Sequence, residues 1–378
     1  MLKVLFFIES LGGGGAEKVL IDLVNHMDQS KFDITVQTLW PSDNRNKLAK
    51  GVHYRSVYSK QNRWNNSRMR LESALGWTYQ LHMKDKYDIE VAYLECGTTK
   101  ILSASTNRHA ARIAWVHCDL SIKMGDVLDS FVQKAAPQYR KYDRIACVSQ
   151  DVLNTYQNLF GPVPPAAVVH NTVDDKLIQE MAAQALPADA IKRKTTLVTL
   201  GRLTHEKAYD RLLRVHKRLQ QEGFDYDLWI LGEGEDRPML EQFIEKNDLA
   251  DSVRLFGFQD NPYPFVNAAD LLVCSSRYEG FSTFVTEGLI LGKPIVTTDC
   301  AGMRELLGDS EFGLITENSE DGLYFGLKQI LSSPAQYRTL AEASGKRGAD
   351  FTSASLVKIT ESFLESAYET KFQQRLRN

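Results

Sequence analysis

Short apolar runs alternate with segments of helical periodicity along the first half of the chain. In residues 16–27 the apolar positions recur three and four apart, which predicts a helix directly after the first apolar run. Such alternation is typical of β-α units that build a parallel sheet with helices on both faces. The apolar runs, each of which predicts a strand, lie at 2–9, 34–40, 89–94, 112–117 and 144–149.

In open α/β sheets, ligands bind beyond the carboxyl ends of the strands. The sequence therefore predicts candidate site positions at 9–15, 95–98, 117–120 and Ser149 before any motif is considered.

The polar and proline-containing stretch from 160 to 194 interrupts this pattern and predicts a domain boundary. Six further strands are expected at 196–200, 226–231, 253–256, 271–275, 294–298 and 313–315. Helices are expected between them, near 207–222, 236–247, 283–291 and 321–332. The fold class is therefore α/β, with two Rossmann-like, doubly wound domains at 1–172 and 173–355. Residues 356–378 continue a helical pattern that either completes the second domain or crosses back to pack on the first.

The composition is that of an ordinary globular protein, with 378 residues, 43% of them hydrophobic and 25% charged. No window reaches the ~18 consecutive apolar residues of a membrane span, and the apolar start is too short for a secretory signal. The five cysteines are odd in number and scattered, without a C-x-x-C pair. These features predict a cytoplasmic protein with reduced thiols.

The charge is unevenly divided between the halves. The net charge of −3 argues against nucleic acid as a partner. Residues 1–172 hold 21 Lys and Arg against 16 Asp and Glu, a balance of +5, whereas the remainder holds 24 against 32, a balance of −8. One basic stretch with an aromatic anchor consists of Lys60, Arg63, Trp64, Arg68, Arg70 and Leu71. It suits an anionic membrane surface, but a solvated loop or helix face is an equal alternative.

Four consecutive glycines, 12–15, lie between the first strand and the first helix, where backbone N–H groups could hold an anion. The G-x-G-x-x-G pattern of dinucleotide folds is incomplete, because Glu17 replaces its last glycine. No G-K-[ST] follows, so a P-loop is also disfavoured. A mobile turn without a ligand stays open as the alternative.

Two features of the second half suggest a phosphate site. Arg202 and Lys207 follow the strand at 196–200 and open a helix, whose dipole also favours negative charge. Glu279 and Glu287 lie eight residues apart, the first in a loop and the second on the next helix. Ser282 and Thr283 suit its N-cap, which would leave backbone N–H groups near Phe281 free for a ligand. Solvated surface cations and a chance spacing of acids are the alternatives.

Several of these segments, in order, resemble the retaining glycosyltransferases of family 4, which have the GT-B fold, and in particular those that build bacterial surface polysaccharides. The resemblance is strongest from 171 to 305. It rests on GGAE (14–17), NTVD (171–174), GRL with EK (201–207), GEG (232–234), FGF (256–258) and the segment 279–287. It implies two domains that face a cleft, an acceptor-binding first domain, a second domain that binds a nucleotide-sugar donor, and no metal requirement.

The resemblance also implies roles for individual residues. Arg202 and Lys207 would hold the diphosphate, and Glu287 the ribose hydroxyls. Glu279 would lie against the sugar, and His117 would hydrogen-bond a sugar hydroxyl. The implied catalytic residues are His117, Glu279, Arg202 and Lys207. The implied donor-binding residues are Gly14, Gly15, Arg202, Lys207, Gly280, Phe281, Ser282, Thr283 and Glu287.

Two positions depart from what such enzymes usually show, and one further pattern bears on metal binding. Ala208 and Thr172 stand where glycine is usual, which bears on loop shape. Asp225 and Asp227 form the D-x-D pattern of metal-dependent glycosyltransferases, but they precede the strand segment 228–231. We therefore expect them at the edge opposite the site, and we expect no metal cofactor.

The sequence as a whole predicts an enzyme that moves a sugar, from a UDP-sugar, to a surface glycan or lipid-linked saccharide. If the basic stretch meets a membrane, the enzyme would be peripheral on its inner face. A soluble disaccharide or glucan synthase, a GT-B sugar-nucleotide epimerase and a catalytically silent scaffold are the alternatives. Base, sugar, acceptor and linkage are not determined by the sequence.

Overall fold

The computed structural model describes residues 1–377. In it the chain folds into two compact units. The first unit comprises Met1–Val173 together with the described residues from Ser353 onward, and the second comprises Asp174–Thr352. Each unit is a parallel sheet with connecting helices. The α/β class and the doubly wound arrangement expected from the alternating pattern are confirmed.

The first unit contains a seven-stranded parallel sheet in the order β3-β2-β1-β4-β5-β6-β7. Its strands are β1 (Leu2–Ile8), β2 (Phe32–Thr38), β3 (His53–Ser56), β4 (Ile89–Ala92), β5 (Ala111–Val116), β6 (Arg144–Cys147) and β7 (Ala166–Val168). Its helices before the boundary are α1 (Gly15–His26), α2 (Arg63–Ala74), α3 (Thr78–His82), α4 (Gly97–Leu102), α5 (Leu120–Met124), α6 (Leu128–Tyr139) and α7 (Gln150–Phe160).

The second unit contains a six-stranded parallel sheet in the order β10-β9-β8-β11-β12-β13. Its strands are β8 (Thr196–Leu200), β9 (Asp227–Leu231), β10 (Val253–Gly257), β11 (Leu271–Cys274), β12 (Ile295–Thr298) and β13 (Leu314–Thr316). Its helices are α8 (Asp175–Ala182), α9 (Tyr209–Gln221), α10 (Arg237–Lys246), α11 (Tyr263–Ala268), α12 (Thr283–Ile290), α13 (Met303–Leu307), α14 (Glu320–Ser332) and α15 (Pro334–Gly348).

The last helix, α16 (Ser353–Arg377), belongs to the first unit, where it packs against α1 and β5. Glu361 accepts a hydrogen bond from the backbone N–H of Asp28 at 2.6 Å. Lys371 forms an ion pair with Asp143 at 2.9 Å. The residues of α16 therefore return to the first unit.

The cores explain why the apolar runs form central strands. Residues 4–8 of β1 are fully buried, as expected for a strand that is covered by helices on both faces. Two short edge strands, β3 and β7, were not predicted. The sequence of β3 lacks an apolar run, and β7 is a run of three residues inside the proline-containing stretch that predicts a domain boundary. Ser149, a candidate site residue, is buried and caps α7, since its hydroxyl accepts from the N–H of Val152 at 3.3 Å.

Candidate active site

In the second unit, the loop after β8 lies against the loop after β9. A Cβ atom added to Gly232 would overlap the carbonyl oxygen of Gly201, and one on Gly234 would overlap that of Leu203. The N–H of Leu203 donates to the carbonyl of Glu233 at 2.9 Å. Glycine is required at 232 and 234 because the two backbones approach so closely. The loop that carries Arg202 is thereby held at the carboxyl end of the sheet.

Lys207 and Glu279 form an ion pair at this edge, with Nζ and Oε1 separated by 2.6 Å. Their side chains are 24% and 11% exposed. The hydroxyl of Ser276 donates to the same carboxylate oxygen at 2.7 Å. Burial lowers the pKa of Lys207, but the charge of Glu279 outweighs it and the pKa is raised. Lys207 is therefore a fixed cation at the ends of β8 and β11.

Ala208, which follows this lysine, has left-handed backbone angles of φ 54° and ψ 39° and is fully buried. A residue with a Cβ adopts this conformation only at a cost of roughly 1 kcal/mol. The backbone here has the shape that glycine favours, which explains why glycine is usual at this position.

Arg202 is the more exposed of the two predicted phosphate-binding cations. Its side chain is 65% exposed and pairs with Glu206 at 2.8 Å, one helical turn further along. The structure thus brings Lys207 and Glu279 together, whereas Arg202 extends into solvent from the same loop.

The segment 279–283 leads into α12 as expected. Ser282 is the N-cap, and its hydroxyl accepts from the N–H of Val285 at 3.5 Å. Gly302, with φ of 78°, packs against Gly280, and a Cβ at 302 would lie 2.6 Å from its carbonyl oxygen. Glu287 lies on α12, where it is buried and accepts from the hydroxyl of Tyr263 at 3.2 Å.

A buried arginine that sequence analysis did not single out anchors the loop after β11. Arg211, on α9, donates from its guanidinium to the carbonyls of Ser275 and Ser276 at 2.6 and 3.2 Å. The same nitrogen donates to Asn318 at 3.0 Å. The sequence pattern does not reveal this role, because an arginine in a helical segment looks the same whether its side chain faces solvent or the protein interior.

In the first unit, His117 directly follows β5 and packs against the ring of Tyr93, with centroids 4.7 Å apart. Its Nε2 is buried and has no hydrogen-bond partner in the described part of the chain. Burial lowers the pKa of His117 to about 4, so the imidazole is neutral at pH 7. A neutral ring with an unsatisfied nitrogen can accept or donate a single hydrogen bond.

Glu95 lies beside this histidine at the end of β4, within the candidate stretch 95–98. Its carboxylate accepts from the backbone N–H of His117 at 3.2 Å and from the thiol of Cys118 at 2.9 Å. Lys123 donates to it at 2.8 Å. Burial raises the pKa of Glu95, but Lys123 outweighs this effect and the pKa falls to about 2. Glu95 therefore ties the segment 117–123 to the end of β4.

Gly14 and Gly15 lie at the start of α1, just beyond the end of β1. Gly14 is the N-cap, with extended backbone angles and no side-chain cap, and Gly15 opens the helix. A Cβ on Gly14 would meet only the side chain of Glu17. The backbone N–H groups of the first turn of α1 therefore lie just beyond the end of β1.

The D-x-D pattern lies at the amino end of β9, at the opposite edge of its sheet from Arg202. Both Asp225 and Asp227 pair with Lys194, the latter at 3.4 Å. Within residues 1–377, no group of three or more His, Cys, Asp or Glu side chains is arranged to hold a metal ion.

Two family models match consecutive parts of the chain. The model described as Glycosyltransferase Family 4 matches residues 13–177, and the model described as Glycosyl transferases group 1 matches residues 186–347. The chain is a glycosyltransferase of the GT-B type. Sucrose-phosphate synthase from Thermosynechococcus elongatus has the same fold, with a TM-score of 0.80 at 14% identity over 98% of this chain and 100% of that one.

This glycosyltransferase is also similar to characterised proteins. It is 28% identical over 338 residues to the N-acetylgalactosamine-N,N'-diacetylbacillosaminyl-diphospho-undecaprenol 4-alpha-N-acetylgalactosaminyltransferase of Campylobacter jejuni, covering 88% of this chain and 90% of the relative. The structure of Anabaena HepE in complex with UDP matches with a TM-score of 0.74 at 18% identity, over 97% of this chain and 100% of that chain.

Proposed function

We propose that this glycosyltransferase transfers a hexosyl group, with retention of configuration, from a UDP-sugar to a lipid-linked or surface-glycan saccharide. The observation that carries the proposal is the Lys207–Glu279 pair, which lies at the ends of β8 and β11 near the start of α12. A buried cation beside helix N–H groups is suited to a diphosphate. Glu279 is suited to accept hydrogen bonds from sugar hydroxyls.

The proposed chemistry needs these residue types. The bond between the anomeric carbon and the diphosphate breaks, and negative charge grows on the leaving oxygen. Lys207, Arg202 and the N–H groups of 281–283 would stabilise that charge. A new bond to the acceptor oxygen forms on the same face, and the departing phosphate takes the acceptor's proton. His117 would hold a sugar hydroxyl through its unsatisfied Nε2.

The donor and acceptor classes are supported by the similar proteins. The HepE structures contain UDP, and in one case UDP-glucose. The Campylobacter relative is named for a diphospho-undecaprenol substrate. We propose the same classes here, a UDP-sugar and a polyprenyl-diphosphate-linked saccharide, with the enzyme acting in the cytoplasm.

We expect transfer to proceed without a divalent metal. The D-x-D carboxylates are paired with Lys194 at the far edge of the sheet, so the diphosphate charge would be neutralised by protein cations. The test incubates the protein with UDP-glucose, UDP-N-acetylglucosamine or UDP-N-acetylgalactosamine and undecaprenyl-diphosphate-linked sugars, with and without EDTA, and measures product by mass spectrometry. Anomeric configuration follows from NMR of the product.

Transfer from one of these donors in both conditions, with retained configuration, is the expected result. Conversion of the donor without an acceptor would instead identify an epimerase. Loss of transfer in EDTA, with rescue by Mn²⁺, would contradict metal independence.

Exposed apolar side chains lie on the same segment of the first unit as the basic stretch. Most of that stretch lies on α2, and Trp64 is 78% exposed. The other exposed apolar side chains in and around α2 and α3 are Leu71, Leu75, Trp77 and Leu81. None of the described helices has the length and apolar character of a membrane span. We propose that this surface, together with Lys60, Arg63, Arg68 and Arg70, rests on anionic lipid headgroups.

The protein is expected to bind liposomes that contain anionic lipid, less strongly in high salt. Each basic residue near such a surface contributes about 1 kcal/mol, screened over ~8 Å at physiological salt. A variant with Lys60, Arg63, Arg68 and Arg70 changed to alanine should lose most binding in a sedimentation assay. Changing Lys328, Arg338, Lys346 and Arg375 instead serves as a charge-matched control. Equal binding by the first variant and the parent would show that the stretch is only a solvated helix face.

A further inference from the structure

The pairing of Lys207 with Glu279 has a consequence for which ligands the site prefers. The same carboxylate oxygen accepts from Lys207 at 2.6 Å and from Ser276 at 2.7 Å. The cation proposed to hold the diphosphate is therefore already neutralised by a side chain of the protein. An incoming phosphate group has to compete with this carboxylate for Lys207.

The cavity beside the Lys207–Glu279 pair is too small for a phosphate group. Lys207 and Glu279 line a cavity of about 10 Å³, together with Thr199, Tyr209 and Ser276. That volume holds about one water molecule. A phosphate group does not fit inside this cavity, so it has to approach Lys207 from the rim, where it meets an ammonium group whose charge is already offset by Glu279.

We infer that Glu279 discriminates between the sugar-bearing donor and the nucleoside diphosphate product, by competing with the diphosphate for Lys207. The inference rests on the proposed function. A sugar supplies hydroxyl donors that replace the ammonium group on the carboxylate of Glu279. The product lacks these hydroxyls, so Glu279 is left beside the diphosphate with only the neutral donors Ser276 and Cys274 among its described partners. Glu279 therefore weakens binding of the product and favours its release.

Glutamine at position 279 separates these effects, because it keeps the size of the side chain and removes the charge. In Glu279→Gln, Lys207 is free for the diphosphate, and UDP is expected to bind about tenfold more tightly. This change lies between the small effect of removing an exposed ion pair and the large effect of breaking a buried one. The affinity for the UDP-sugar should not rise in parallel, because the glutamine accepts more weakly from sugar hydroxyls. Calorimetry with UDP and with the UDP-sugar measures both affinities, and product inhibition by UDP should become stronger.

Two further variants identify the cause. Glu222→Gln removes a carboxylate that pairs with Lys328 at 2.7 Å outside this cavity, and it should leave UDP affinity unchanged. In a Lys207→Ala background there is no cation to release, so Glu279→Gln should have little further effect on UDP binding. Circular dichroism establishes that each variant is folded.

The possible outcomes distinguish this inference from the proposed function. Unchanged or weaker UDP binding by folded Glu279→Gln, with the parent active in sugar transfer, would overturn the inference alone. Equal tightening with and without Lys207 would also overturn it, because the effect would then be simple repulsion between carboxylate and diphosphate. If the parent binds no nucleoside diphosphate or nucleotide sugar, both the proposed function and the inference fail.

Discussion

Replacing Lys207 by alanine is expected to weaken UDP binding and slow sugar transfer by about ten- to a hundredfold while the protein stays folded. A charge-assisted hydrogen bond to a phosphate contributes roughly 1.5–3 kcal/mol, and this cation is largely buried, so solvent screens it little. Glu279 keeps the hydrogen bond from Ser276 in the variant, which limits the structural damage. Calorimetry with UDP and steady-state kinetics provide the measurement.

Lys328 is a matched control, because it also pairs with a glutamate at 2.7 Å but lies on α14 with its side chain 42% exposed. Lys328→Ala should leave binding and transfer unchanged. Arg202→Ala should have a smaller effect than Lys207→Ala, because Arg202 is mostly exposed and pairs with Glu206. If Lys207→Ala binds UDP and transfers sugar as well as the parent, the assignment of the phosphate site is wrong.

Lowering the pH from 7 to 4 is expected to reduce the free energy of unfolding of both units. Burial lowers the pKa of His117 and of His216 to about 4, from 6.5. Each histidine binds a proton in the unfolded chain at a pH where the folded chain does not. Their contribution to stability is therefore fully present above pH ~6.5 and is lost as the pH falls towards 4. One pKa unit is about 1.4 kcal/mol, so each contributes up to roughly 3 kcal/mol.

Glu95 extends this loss to lower pH. Burial raises its pKa, but the charge of Lys123 outweighs burial, and the pKa in the folded state is about 2 against 4.5. Its contribution is present above pH ~4.5 and is lost as the pH falls towards 2. Urea unfolding at pH 7, 5.5, 4 and 3, followed separately for each unit, should show falling midpoints, with the loss from Glu95 confined to the first unit and to the lowest pH values.

His216→Gln offers a control, because it removes one titrating group from the second unit only. This variant should flatten the pH dependence of the second unit between pH 7 and 4 and leave that of the first unit as it is. Midpoints in the parent that stay constant from pH 7 to 4 would contradict the buried, neutral state of both histidines.

The sequence was sufficient to predict every described strand except β3 and β7, and to place the candidate site residues at strand ends. Residues 4–8 and 228–231 are uninterrupted apolar runs, and such runs are stable only when both faces of the strand are covered. Arg202 and Lys207 could be placed at a carboxyl end because they follow the predicted strand at 196–200. The confirmed α/β class follows from the same local information.

The sequence could not predict which distant residues meet. Lys207 and Glu279 are 72 positions apart, and they pair because β8 and β11 are neighbours in the sheet, an order that skips two strands of the chain. Nothing local distinguishes Glu95 or Arg211 from a solvated charge, since burial depends on what the rest of the chain places around a side chain.

The position of α16 was also left open by its pattern, because helical periodicity alone does not tell which sheet a helix packs against. The sequence by itself determined the elements and the residues able to carry charge or a proton, because these depend on neighbours along the chain. Only the tertiary structure decided the contacts of α16, the hydrogen bonds from the segment 117–123 to Glu95 and the pairing of Lys207 with Glu279. Strand order and burial bring these groups together, and both are properties of the whole folded unit.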